Sequence, residues 1–223
     1  MTTRRRKTNV VVIGLGGAGG VAVEPLTAAG LEVVGLEAGT WLGPRDFAPD
    51  ELRNNYRGWP QAAQKANREV PVHRPNAAAP DSPRAAIHPM MNGVGGTTLH
   101  YWAQSWRLNP WDFKVVSETK RRYGAARVPS GSTVEDWPFG LDELEPYYDK
   151  VERAVGVSGQ AGNVKGVIDR RGNIFEGARE RAYPMPALRG TEFTDLMASA
   201  ATRLGWHPFP GPAAVNSETY DGR

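Results

Sequence analysis

Three glycines near the start of the chain have the spacing at which a backbone can hold a phosphate. Residues 14–19, GLGGAG, contain Gly14, Gly16 and Gly19 in the order G-x-G-x-x-G. In a strand-turn-helix unit the first glycine permits a tight turn, the second lets the backbone approach a pyrophosphate, and the third lets the helix pack against the strand. The amides of the helix N-terminus then face the phosphates. The spacing therefore predicts a dinucleotide site.

The residues on both sides of these glycines supply the elements that such a site needs. Residues 9–13, NVVVI, are typical of a parallel strand that is buried on both faces, and residues 31–37, LEVVGLE, predict a second strand. This strand ends on Glu37, whose carboxylate can accept the hydroxyls of an adenosine ribose. Pro25 lies within the expected helix and should bend or shorten it, because proline lacks a backbone donor. Both FAD and NAD fit this unit.

A second glycine-rich stretch follows at residues 92–107, NGVGGTTLHYWAQSWR. Glycine has no side chain, so backbone amides here can approach the oxygens and nitrogens of a cofactor. Tyr101 and Trp102 are close enough in sequence to His100 to contact the same ligand, whereas Trp106 is better explained as a core aromatic. Arg107 can either pair with a carboxylate or help to close the loop, and the sequence leaves both readings open.

Five ordered blocks resemble the glucose-methanol-choline (GMC) oxidoreductase family, and the resemblance extends from about residue 9 to the end of the chain. The branch that it resembles most is the bacterial sugar and sugar-acid branch, which includes gluconate dehydrogenase large subunits and pyranose oxidase-like enzymes. In that family the dinucleotide is FAD, and the second glycine turn helps to hold it at the flavin. The blocks are residues 10–39, 45–59, 92–113, 136–159 and 200–217.

The resemblance implies a set of FAD-binding residues in both glycine turns. Its members are Gly14, Gly16, Gly17, Gly19, Glu37, Ala38, Asn92, Gly93, Gly95, Gly96, Thr97, Thr98, His100, Tyr101 and Trp102. At His100 the family offers two alternatives, a covalent bond to the flavin methyl group and plain packing beside the dimethylbenzene edge. The sequence TTLHYW differs from the STHW pattern of the covalently flavinylated enzymes and favours packing.

The fold class implied by the resemblance is α/β. A Rossmann-type FAD-binding domain begins the chain, and the start of an α+β substrate-binding domain follows. Both would be completed by a C-terminal portion outside this chain. We expect residues 1–115 in the first domain, with an irregular excursion at 44–90 that includes a short helix at 50–59. Residues 116–223 belong to the second and can return to the FAD domain near the end.

Within the second domain the pattern predicts two helices. Residues 116–135 look irregular, and a helix then follows that stops at Gly156, with its charged residues as a solvated face; Pro146 fits if the main helix begins there. A last helix runs from Glu192 to Leu204, and residues 206–210, WHPFP, predict an edge strand. His207 is expected to be a residue of this strand with a satisfied ring.

The activity implied by the resemblance is FAD-dependent oxidation of a secondary hydroxyl of a pyranose sugar, sugar acid or glycoside. Hydride transfer to flavin N5 would yield a keto sugar, and oxygen, a quinone or a cytochrome would reoxidise the flavin. The family's catalytic base is a histidine near the C-terminus of a longer chain, so we assign no catalytic residue here. We expect a complementary C-terminal chain, since a sheet with only its first strands exposes edges and apolar faces. The alternatives are a non-catalytic FAD-binding or assembly subunit of a heteromeric flavoprotein and an NAD-dependent dehydrogenase.

Composition and charge argue against several other classes of function. The net charge of +3 comes largely from residues 4–7, RRRK, and no basic stripe with aromatics follows, so we expect no nucleic-acid partner. The chain has no cysteine, which excludes disulfides and thiol catalysis within it. His73 and His88 lack ligand spacing, so we expect no metal site. The arginines could begin a twin-arginine signal, but the following residues fit strand, turn and helix better. We expect a cytoplasmic protein without a membrane span.

Overall fold

The computed structural model describes residues 6–47, 78, 93–99 and 101–222. The chain divides into two compact units, Met1–Tyr101 and Trp102–Arg223. Each unit combines helices with a two-stranded sheet, so the mixed α/β character expected from the sequence is present in both.

The first unit is built around a strand-helix-strand motif. Strands β1 (Val10–Ile13) and β2 (Val33–Leu36) pair in parallel, with Val10 opposite Val33. Helix α1 (Gly17–Ala28) connects them, as a parallel pair requires. Pro25 lies inside α1, but the helix continues to Ala28 and is not cut short there. Pro25 has no N–H and therefore removes one hydrogen bond from the helix. Its carbonyl is still used, because Ala29 N–H donates to Pro25 O at 3.1 Å.

The sheet of the first unit is less buried than the sequence predicts. The run NVVVI indicates a strand covered on both faces, yet the side chain of Ile13 is 84% exposed, and Val11 and Leu36 are also exposed. Two strands and one helix offer too little surface to cover both faces of the pair. The predicted burial on both faces is therefore wrong for the described residues.

The second unit contains three helices and a short hairpin among its described residues. In chain order they are α2 (Val115–Tyr123), α3 (Leu141–Val155), β3 (Asn163–Val164), β4 (Val167–Ile168) and α4 (Glu192–Arg203), with β3 and β4 antiparallel. Its apolar core is formed by Phe113, Leu141, Val157, Ala161 and Met185.

The structure corrects three boundaries that the sequence predicts in this unit. The first correction is α2, which lies where an irregular segment is predicted. Its N-terminal amides at Val116 and Ser117 donate to the carboxylate of Asp136. Because this capping residue lies about twenty residues further along the chain, no local sequence pattern reveals it. The second is the start of α3, which begins at Leu141 and not at Pro146. Its end at Gly156, with φ +85°, is confirmed.

The third correction concerns the segment that follows α4. Helix α4 agrees with the predicted range to within one residue, and Thr191 caps it through a hydrogen bond from Thr194 N–H. Residues 206–210, however, form no strand, so the edge-strand prediction is wrong. Two prolines in five residues leave too few donors for a ladder. The His207 ring is satisfied as expected, with Nε2 at 3.0 Å from Gly172 O.

Candidate cofactor site

The first glycine turn has the geometry that a phosphate-binding turn requires. Gly14 has φ +87°, and its N–H donates to Leu36 O at 2.7 Å, which fixes the turn to the end of β2. A Cβ atom added at Gly14 or Gly16 would meet nothing within 4 Å. One added at Gly19 would lie 2.0 Å from Gly14 O. The first two glycines therefore border open space, while the third lets α1 approach the turn.

The N-terminus of α1 adds donors to this turn. Gly16 is its N-cap and makes no side-chain capping hydrogen bond. The first four amides of an α-helix have no acceptor inside the helix, and they carry the positive end of its dipole. A glycine cap leaves these amides for an anion, so the turn and the helix end together suit a pyrophosphate.

Glu37 is tied to this turn by backbone hydrogen bonds that the sequence did not reveal. Its Oε2 accepts from Leu15 N–H at 2.8 Å, and its Oε1 accepts from Gly39 N–H at 3.0 Å. The bonds from Gly39 and Leu15 hold the pKa of Glu37 below its ordinary value, so the carboxylate is ionised at neutral pH. A carboxylate has about four acceptor sites, so these two bonds leave capacity for ribose hydroxyls.

The second glycine turn lies against the first one within the same unit. Gly95 N–H donates to Leu15 O at 2.7 Å, and Val94 N–H donates to Thr40 O at 3.1 Å. A Cβ added to Gly17 would lie 2.8 Å from Cγ2 of Thr98, so the approach of the two segments needs a glycine at that position. Two stretches about 80 residues apart thus form one backbone-lined site.

Backbone conformation inside the second turn also depends on glycine. Gly95 and Gly96 have φ values of +103° and +56°, and a 3-10 helix then covers Gly96–Leu99. Gly96 N–H donates to Gly93 O at 2.8 Å, and the hydroxyl of Thr98 donates to Gly95 O. The turn is therefore ordered by its own bonds and by its contacts with the first turn.

Some residues singled out from the sequence lie outside the described residues or at the boundary between the two units. Asn92 and His100 lie outside the described residues, as do His73, His88 and the helix predicted at 50–59. Tyr101 ends the first unit and Trp102 begins the second, and the Trp102 ring is 91% exposed. Ala38 lies between Glu37 and Gly39, and the Gly39 N–H donates to the Glu37 carboxylate.

Arg107 resolves the alternative that the sequence left open, because it pairs with two carboxylates on α3. Its Nε donates to Glu152 Oε1 at 2.7 Å and its Nη2 to Oε2 at 2.8 Å, a bidentate pair. Its Nη1 donates to Glu145 Oε1 at 3.0 Å. Burial lowers the pKa of Arg107, but the bonds and charges of these carboxylates outweigh it and leave the pKa above its usual value.

A second arginine continues this buried network. Arg179 is 1% exposed, donates from Nη2 to Glu152 and lies over the Tyr183 ring at 3.7 Å from its centroid. Burial raises the pKa of Tyr183 to about 12. Asp149 and Glu152 of α3 are both buried, so the prediction that the charges of this helix form only a solvated face is wrong.

Two further features of the second unit bear on function. Trp106 is half-exposed and packs edge-on against Phe209 at 5.9 Å between centroids, so it is not the core residue expected. A cleft of about 480 Å³ is lined by Glu145, Pro146, Asp149, Lys150, Arg153, Glu180 and Arg181. Asp149 is engaged there by Arg153 and Arg181, so the cleft consists largely of paired charges.

Two kinds of site were not found in the part of the chain that the structure describes. No group of three or more histidine and acidic side chains is arranged to hold a metal ion there. Within the same residues, no helix has both the length and the apolar character needed to cross a membrane.

Comparison with known proteins shows similarity to oxidoreductases over nearly the whole chain. It is 34% identical to the gluconate 2-dehydrogenase flavoprotein of Pantoea cypripedii over 96% of its length, which covers 36% of that protein. It is 31% identical to paromamine 6'-oxidase of Streptomyces fradiae, over 98% of this chain and 33% of that one. With the fructose dehydrogenase large subunit of Gluconobacter japonicus the identity is 29%, over 100% of this chain and 39% of that protein. No protein-family model matches the chain.

These relatives are dehydrogenases and oxidases by name, and one is named a flavoprotein. These names agree with the oxidoreductase class that the sequence motifs predict. The chain spans about a third of the length of the curated relatives that it matches.

Proposed function

We propose that this chain is the FAD-binding portion of a GMC-type oxidoreductase that oxidises a secondary hydroxyl of a pyranose sugar, sugar acid or glycoside to a keto sugar. The observation that carries the proposal is the contact of the two glycine turns through Leu15, in a chain similar over nearly its whole length to a gluconate dehydrogenase flavoprotein. In the GMC family that the chain resembles, a second glycine turn helps to hold the flavin end of FAD, which favours FAD over NAD here.

The described residues fit the adenosine and pyrophosphate parts of FAD. The open space at Gly14 and Gly16 lets a pyrophosphate approach the α1 amides, and the ionised Glu37 is suited to the adenosine ribose. On the second turn, the backbone of residues 93–98 would hold the flavin end, joined by Asn92, His100, Tyr101 and Trp102. When bound there, FAD would supply the acceptor for the hydride that leaves the substrate carbon.

The names of the relatives and the resemblance together support the proposed substrate class. The relatives are named for gluconate, paromamine and fructose. In our proposal the second unit contributes the first part of the substrate-binding domain. The base that takes the hydroxyl proton lies in the complementary portion. Oxygen, a quinone or a cytochrome reoxidises the enzyme.

Exposed apolar faces support the proposed complementary portion. In the first unit several β1 and β2 side chains are exposed, including Ile13 and Leu36. In the second unit the apolar face of α4 is also exposed, formed by Phe193, Leu196, Met197 and Leu204. Exposed apolar patches of this kind mark surfaces that another segment or chain covers.

An intact-mass spectrum of natively purified protein, recorded after denaturation beside a cofactor assay of the supernatant, tests the proposal. We expect released FAD, a 24.3 kDa chain without an increment, and a second polypeptide segment that completes the enzyme. A flavin-sized increment on this chain would mark covalent attachment at His100. Bound NAD in place of FAD, or a chain without flavin and without a partner segment, would contradict the proposal.

Substitution at Gly16 tests which turn residue meets the pyrophosphate. In the same natively purified assembly, Gly16→Val should reduce bound FAD at least ten-fold, because its side chain would occupy the space that the phosphates need. Gly20→Ala is the matched control, since an added Cβ at that position also meets nothing within 4 Å but lies inside α1. Equal FAD content in the two variants would argue against a site at this turn.

A further inference from the structure

We propose that Glu37 is a positioning residue for both glycine turns, and that it acts on the second turn through the Leu15 peptide group. The benefit of this arrangement rests on the proposed function, because turns that are already ordered would bind FAD without rearranging. The role itself concerns only the chain's own residues and can be tested without a nucleotide.

The peptide groups of Leu15 connect three segments of the first unit. Leu15 N–H donates to Glu37 Oε2 at 2.8 Å, and Leu15 O accepts from Gly95 N–H at 2.7 Å. The other carboxylate oxygen, Oε1, accepts from Gly39 N–H at 3.0 Å. One carboxylate at the end of β2 thus accepts a hydrogen bond from the turn that follows β1. That turn itself accepts a hydrogen bond from the second glycine turn.

The Leu15 side chain restricts the same turn from the other side. A Cβ added to Gly35 on β2 would lie 2.7 Å from Leu15 Cδ1, so this side chain rests directly on the β2 backbone. The backbone of residue 15 is therefore held by β2 and by Glu37 together. Its carbonyl is aimed at Gly95, which has a φ of +103° that few other residues adopt.

The Glu37 hydrogen bonds are strong enough for the effect of substituting Glu37 to be measured. A hydrogen bond to a charged group contributes more than one between neutral groups, and an isosteric amide can accept only at its oxygen. Glu37→Gln therefore loses the charge and one of the two acceptors at nearly constant volume. If Glu37 served only to bind ribose, its substitution would leave the ligand-free second turn unchanged.

Amide hydrogen exchange on the natively purified assembly at neutral pH, with bound nucleotide removed, tests the proposal. In Glu37→Gln we expect exchange at Leu15 and Gly39 to be roughly 10- to 100-fold faster. Exchange at Gly95 should be several-fold faster. Val10 N–H, which donates to Glu32 O at 3.1 Å at the opposite end of the sheet, should stay within about two-fold.

Glu32→Gln is the matched control, because its carboxylate is exposed and lies 3.7 Å from Arg6. It should leave all four amides unchanged. Unchanged exchange at Gly95 in Glu37→Gln would overturn the proposal. So would an acceleration at Gly95 no greater than that at Val10, since it would indicate general loosening of the unit. Neither result depends on whether the chain binds FAD.

Discussion

Substitution of Gly19 by Ala examines whether the third glycine of the first turn is required for packing. An added Cβ would lie 2.0 Å from Gly14 O and 3.4 Å from Val12 Cγ1. Real Cβ atoms essentially never approach a heavy atom closer than 3.0 Å, so the start of α1 would have to move by about 1 Å. Overpacking of this kind costs about 1–3 kcal/mol in the free energy of unfolding.

The neighbouring residue Gly20 provides the matched comparison. It lies in the same helix, and an added Cβ would meet nothing within 4 Å. Gly20→Ala should stabilise the unit by about 0.5–1 kcal/mol, because alanine has the higher helix propensity. Gly19→Ala gains the same propensity but carries the overlap, so it should be about 1–3 kcal/mol less stable than Gly20→Ala.

Amide exchange at Val10 measures both variants in one experiment, since its N–H belongs to the β1–β2 unit. Exchange should be faster in Gly19→Ala than in Gly20→Ala by about 5- to 140-fold, given that 1.4 kcal/mol corresponds to a factor of ten. Equal rates in Gly19→Ala and Gly20→Ala would refute the packing role. A slower rate in Gly19→Ala would refute the close approach of α1 itself.

Two further predictions concern the second unit. Arg107→Met should lower the free energy of unfolding by about 3 kcal/mol, because it leaves the buried Glu152 and the partly buried Glu145 short of a partner. Arg121 of α2 forms an exposed ion pair with Glu118, so Arg121→Ala should leave the free energy of unfolding nearly unchanged, and urea denaturation compares the two variants. Because burial raises the pKa of Tyr183 to about 12, its contribution to stability should be complete below pH 10 and lost as the pH rises through about 12. Denaturation midpoints across this range should show a loss that Tyr183→Phe lacks, and equal profiles would contradict the assignment.

Local patterns predicted the first unit because its chemistry is short in range. The spacing of Gly14, Gly16 and Gly19 is set by one turn and one helix start, and parallel pairing follows from the helix between two apolar runs. Gly156 ended α3 as predicted for the same reason, since its positive φ is a property of one residue and its neighbours. The prediction of an irregular segment at residues 116–135 was wrong, because α2 is capped by the distant Asp136.

Parts of the candidate site remain predictions. The FAD contacts of both turns, and the domain boundary expected near residue 115, rest on the motifs and the resemblance. For Glu37 the sequence supplied a position and a plausible ligand, but it gave no indication of the bonds to Leu15 and Gly39. Those bonds depend on how the β2 end folds back toward the turn, which spacing alone does not specify.

By itself, the sequence determined the dinucleotide motif, the presence of a second glycine turn and the helical character of residues 147–155 and 192–203. Only the tertiary structure decided that the second turn bonds to the first through Leu15, and that Arg107 and Arg179 share Glu152. The physical reason is the distance along the sequence between the residues that decide each property. Backbone conformation and hydrophobic periodicity are written in neighbouring residues, whereas the partner of a buried charge or a turn amide is chosen by the fold that brings distant segments together.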